Sequence, residues 1–93
     1  MKARKFTNVW DVIEPVPEKS AQLKARAALM AALRDRIEKA HWTQAEAARR
    51  LGVTQPRVST LMRGKLSLFS LDTLVAMATA AGLRVEIKIR RAA

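Results

Sequence analysis

Apolar side chains recur along most of this chain at steps of three and four, and near its end at steps of two. Leu23, Ala27, Met30, Leu33 and Ile37 form one stripe of a long helix over about 18–40, with Lys24, Arg34, Arg36, Glu38 and Lys39 mostly off it. Thr43-Gln44-Ala45-Glu46 then reads as a capping box: the Thr43 hydroxyl takes a free backbone N–H and Glu46 reaches back to the cap. Ala47, Ala48 and Leu51 supply the inward face of that second helix, and Gly52 sits where the chain leaves it in a left-handed conformation. Thr54 caps a third helix, with Val53 and Val58 as a hydrophobic staple and Pro56 in the first turn, where a missing N–H costs nothing. Gly64 closes it. Ser70 caps a further helix, flanked by a Phe69–Leu74 staple, with Leu71, Leu74, Val75 and Ala78 as its face and Gly82 as its end.

The last stretch changes period. Leu83, Val85, Ile87 and Ile89 alternate with Arg84, Glu86, Lys88 and Arg90, which predicts a half-buried β-strand. The chain has no second strand of comparable quality, and a lone strand leaves its backbone groups unpaired. The simplest partner is the same strand of another copy, so Leu83, Val85, Ile87 and Ile89 are expected at a two-fold dimer interface. At the other end, Asn8 is expected to cap a short helix over 9–13 that Pro15 and Pro17 terminate, with Trp10 and Ile13 folding back onto the body. The organisation expected is a basic arm and short helix over 1–16, a helical domain over 17–82 and a dimerisation strand and tail over 83–93.

Composition narrows the partners. Eighteen Lys and Arg against eight Asp and Glu give a net charge of +10, which favours an anionic partner, nucleic acid before an acidic membrane. No apolar run approaches the ~20 residues of a membrane span, and no continuous apolar segment follows the basic N-terminus, so a cytoplasmic location is expected. With 93 residues and no cysteine, the chain has neither disulfides nor thiolate metal sites to supplement a small core, and dimerisation is one way to bury more surface. No enzyme, metal site or cofactor is expected. His41 is the only histidine and reads as a surface or capping residue, and Asp11, Glu14 and Glu18 have no nucleophile or glycine-rich loop beside them. Trp10 and Trp42 read as core residues rather than a base-stacking platform.

The constellation over 43–65 carries the function. Two short capped helices are joined by a glycine turn, with small Ala48 at the close approach and apolar anchors on both, which is a helix-turn-helix pattern. The start of the second helix of such a pair enters the major groove, so Gln55, Pro56, Arg57, Ser59 and Thr60 are the candidate base-reading residues. Glutamine pairs with adenine, and Pro56 and the Thr60 methyl suit a thymine methyl; Arg57 suits either a guanine edge or a phosphate. Thr43, Gln44, Thr54, Arg63 and Lys65 are the candidate phosphate contacts. Five basic residues (Arg49, Arg50, Arg57, Arg63, Lys65) face a single acid, Glu46, in this segment, although Arg49 and Arg50 also suit a solvated far face.

The run WTQAEAARRLGVTQPRVSTLMRGK over 42–65 resembles the Cro/repressor (XRE) class of helix-turn-helix proteins. With Asn8-Val9-Trp10, Phe69-Ser70-Leu71 and Val85-Glu86-Ile87 it is more narrowly similar to the small HigA-like antitoxins. The resemblance implies a mainly α, lambda-repressor-like bundle of about five helices with one C-terminal strand paired in a dimer. It further implies a homodimeric repressor that binds double-stranded operator DNA of its own operon and neutralises a RelE-like ribonuclease toxin. The alternative is a free-standing XRE-type or phage-type regulator without a toxin. Pro56 departs from the polar residue that related repressors commonly carry there, although small antitoxins often show the Gln-Pro pair.

Overall fold

The computed structural model describes residues 17–91 and is mainly α. Its helices are α1 (Pro17–Lys39), α2 (Gln44–Leu51), α3 (Gln55–Met62) and α4 (Leu71–Ala80), with a 3₁₀ turn at Leu66–Leu68. The expected short helix over 9–13, with Trp10 and Ile13, lies outside the described residues.

Each of the four helices is stopped in the same way. The chain's three glycines all have positive φ and follow α2, α3 and α4: Gly52 at 71°, Gly64 at 75° and Gly82 at 85°. After α1 the left-handed position is taken by His41, at φ 57°. There the Trp42 N–H donates to the Ile37 carbonyl and the His41 N–H to the Glu38 carbonyl, both at 3.1 Å. This is the doubly bonded Schellman ending, in which glycine normally occupies the residue that His41 holds here. The three short helices begin as expected, on Thr43, Thr54 and Ser70, each accepting an N–H from three residues on.

The core gathers one or two turns from every helix. Met30, Leu33 and Ile37 of α1 meet Ala47, Ala48 and Leu51 of α2, Val58 and Leu61 of α3, and Leu74, Met77 and Ala78 of α4, with Phe69 and Ala81 beside them. The Phe69–Leu74 staple is buried at both residues. The expected stripe of α1 is shorter than its period suggested: Leu23 is 48% exposed and Ala27 is also exposed. Twenty-three residues span about 34 Å, longer than the short helices that pack on them, so the first turns of α1 extend past the core.

The C-terminal expectation is corrected in one respect. Residues 83–91 form no β-ladder, and the described residues contain no strand. The physical reason is the one that made the strand need a partner: a ladder requires a second edge, and a single chain has none to offer. The four candidate interface residues also divide into two pairs. Leu83 and Val85 are half-buried against the chain's own core, while Ile87 and Ile89 stand 80% and 90% exposed.

Candidate nucleic-acid interface

Two short helices and the turn between them make up the site. Ala47, Ala48 and Leu51 of α2 and Val58 and Leu61 of α3 are buried, so the outward side chains of both helices are held by an apolar seam. Gly52 makes the turn between them possible. Its N–H and that of Val53 both donate to the Ala48 carbonyl, and a side chain at φ 71° would be strained even though space around it is open.

At the start of α2 the capping box is half formed. Thr43 Oγ1 accepts the Glu46 N–H at 3.1 Å as expected. The Glu46 carboxylate does not return to the cap; it accepts from Arg49 Nη2 and Arg50 Nε, both at 2.6 Å. The two guanidinium groups compete successfully with the backbone N–H because each offers a charged donor one turn away. These hydrogen bonds, first Arg49 and then Arg50, hold the Glu46 carboxyl below its ordinary range. Arg49 and Arg50 are therefore tied to their own helix. Arg50 also lies against Trp42, its guanidinium carbon 4.9 Å from the ring centre, and Arg36 of α1 lies 5.0 Å from the same centre.

The structure brings together most of the candidate contact residues. Gln55 and Pro56 are exposed at the start of α3, and Ser59 and Thr60 are half-buried one turn on. The Thr60 hydroxyl donates to the Pro56 carbonyl at 2.9 Å, which commits its proton to the helix. Thr54 Oγ1 accepts the Arg57 N–H at 3.3 Å. Both capping threonines use an oxygen lone pair, which leaves each O–H free to donate outward. Thr43 and Gln44 are exposed beside them, and exposed Arg63 and Lys65 flank the far end of α3. Among the described residues neither of these two cations has an acidic partner.

Arg57 behaves differently from its neighbours. It is half-buried, with its guanidinium carbon 4.2 Å from the centre of the buried Phe69 ring. Sequence reading missed this contact, since nothing in the spacing of 57 and 69 marks it. It also missed the work of two arginines on α1. Arg26 Nη1 donates to the Leu66 and Phe69 carbonyls, each at 3.3 Å, and Arg36 Nε donates to the Ala81 carbonyl at 2.9 Å. These side chains bind carbonyl groups of the 3₁₀ turn, the segment after it and the end of α4, so part of the basic excess is internal bracing.

Among the described residues no three His, Asp or Glu side chains gather where they could hold a metal ion, and no helix is long and apolar enough to cross a membrane.

Comparison with known proteins agrees with this geometry. A family described as a helix-turn-helix domain matches residues 12–90. A solved structure described as that of an XRE-family transcriptional regulator is similar with a TM-score of 0.73 and 38% identity, over 80% of this chain and 83% of that one. No curated protein matches the sequence. The capped and glycine-turned pair of helices, the match along nearly the whole chain and the shared XRE-type architecture lead to one assignment: the chain belongs to the XRE-type helix-turn-helix family.

Proposed function

We propose that this protein is a sequence-specific DNA-binding repressor that acts as a homodimer on an operator. The observation that carries the reading is the exposed start of α3, where Gln55 and Pro56 project between capped helix ends and the exposed cations Arg63 and Lys65. In this reading α3 lies in the major groove. Gln55 pairs with an adenine edge, Pro56 and the Thr60 methyl meet thymine methyls, and Ser59 faces the adjacent base. The Thr60 hydroxyl is already bonded to Pro56, which supports an apolar role for this residue. Thr43, Gln44, Thr54, Arg63 and Lys65 hold phosphates on either side, and Arg57 reaches the backbone only from its stacked position on Phe69.

The resemblance to HigA-like antitoxins supports a narrower role. The dimer would repress its own operon and bind a RelE-like ribonuclease toxin through surfaces away from α3. The free-standing regulator is the second reading, favoured by the similar structure described as an XRE-family transcriptional regulator. One experiment separates them: gel-shift titration of the protein on its own promoter, with and without the product of the neighbouring gene. The antitoxin reading expects promoter binding that the neighbour alters and growth rescue from that neighbour. Promoter binding without either effect leaves the free-standing regulator, and no promoter binding overturns the repressor.

A further inference from the structure

One face of the molecule is incomplete. Leu83 and Val85 rest on the core, yet Ile87 and Ile89 continue the same alternation into solvent. Beside them runs an apolar groove of about 500 Å³, lined among others by Ala28, Leu29 and Ala32 of α1, Val75 of α4, Val85 and Ile87. Arg84, Glu86, Lys88 and Arg90 alternate with these apolar residues, and Arg84 and Glu86 also border the groove.

We infer that a second copy of this chain covers this face, its residues 83–91 pairing antiparallel with the first about a two-fold axis through Ile87. The inference rests on the dimeric reading above and specifies how the two copies meet. In an antiparallel pair, directly opposite side chains share a face, so a two-fold axis between two residues would set every apolar position against a polar one. Only axes through a residue survive. Centring on Glu86 places that carboxylate against itself and Arg84 against Lys88, and centring on Ile89 places Lys88 against Arg90. Centring on Lys88 sets it against its own copy and Val85 against Arg91. Centring on Val85 leaves Ile89 opposite Ala81, which is buried at the end of α4.

The axis through Ile87 avoids these conflicts near the centre. Glu86 faces Lys88 of the second copy twice, Ile87 faces itself, and Val85 faces Ile89, which brings the exposed isoleucine over the groove. Opposite charges across a strand pair favour pairing and like charges oppose it. The unfavourable pairings, Arg84 with Arg90 and Leu83 with Arg91, each occur once on either side of the axis and fall at the ends of the ribbon, where Arg84 already has Glu86 of its own chain at 3.3 Å.

The cysteine-free chain makes the register directly testable. Residues paired across the axis have Cα atoms about 4.5–5.5 Å apart, within disulfide range. Ile87→Cys is expected to cross-link with itself on mild oxidation, while Glu86→Cys and Lys88→Cys do so only when mixed with each other. Independently, Glu86→Lys is expected to shift the protein toward monomer in light scattering, and adding Lys88→Glu to restore the dimer. A dimer that self-links at 86 or 88 rather than 87, or one that the double exchange fails to restore, overturns the register but leaves the dimer standing. A monomeric wild-type chain overturns both.

Discussion

The guanidinium of Arg57, in the first turn of α3, lies over Phe69 with its central carbon 4.2 Å from the ring centre. Phe69 is buried and its carbonyl accepts from Arg26 of α1, so one residue ties α3 to the long helix. A cation held on an aromatic face that is partly shielded from water contributes roughly 0.5–2 kcal/mol. A double-mutant cycle with Arg57→Ala and Phe69→Leu, followed by urea denaturation, is expected to return a coupling energy of about that size. Additive effects would show that the stacking contributes nothing.

His41 offers the opposite kind of change. It holds a left-handed conformation at φ 57° in the position glycine normally takes, at a cost to an L-residue of roughly 1–2 kcal/mol. Glycine relieves this but loses more chain entropy on folding. His41→Gly is expected to stabilise the domain by about 0.5–1 kcal/mol, and at about 4–8 °C per kcal/mol the rise is measurable as Tm by calorimetry. An unchanged or lower Tm would mean that the imidazole makes a compensating contribution.

Glu46 sets an acid-side dependence. Its carboxyl is held below the ordinary value by hydrogen bonds from Arg49 and Arg50, so the folded state binds this proton less readily than the unfolded chain. The resulting stabilisation is present above the unfolded value of about 4.3 and is lost as pH falls through the lower, folded one. The wild-type Tm is expected to exceed that of Glu46→Gln at neutral pH, with the difference closing in acid. A difference independent of pH would remove the carboxylate from the explanation. The site is exposed, so salt should weaken the effect.

The candidate contacts on DNA divide by what each substitution changes. Gln55→Ala is expected to relax preference at one base pair by about 1–3 kcal/mol in a binding-site selection. Arg63→Ala is expected to weaken all sequences alike and to lower the salt slope of binding by about one. If Arg63→Ala altered base preference, or Gln55→Ala left it unchanged, the placement of α3 in the groove would need a different register.

Features whose cause lies within a few residues were legible in the sequence. Thr43, Thr54 and Ser70 cap helices because a short hydroxyl reaches an N–H three residues on, and Gly52, Gly64 and Gly82 end them because only glycine takes positive φ without strain. Features set by tertiary competition were not. Glu46 had a choice between a backbone N–H and two arginines, and the period of residues does not weigh those against one another. Likewise the bracing by Arg26 and Arg36 and the stack of Arg57 on Phe69 join residues separated by 12 to 45 positions. The alternation over 83–91 was visible, but whether it forms a ladder depends on an edge that lies outside one chain.

Arg36 has a consequence that reaches beyond a single fold. Its guanidinium lies against Trp42, just before α2, and donates to the Ala81 carbonyl, where the C-terminal segment departs. In the dimer proposed above, joined through that segment, the same side chain would help to set how far each α3 stands from the symmetry axis. Such a dimer would measure DNA as a caliper does. Adding one base pair between half-sites turns one of them by about a tenth of a helical turn, a mismatch that a braced body cannot absorb. Shortening Arg36 to alanine would then loosen the tolerated spacing without altering the bases read at either half.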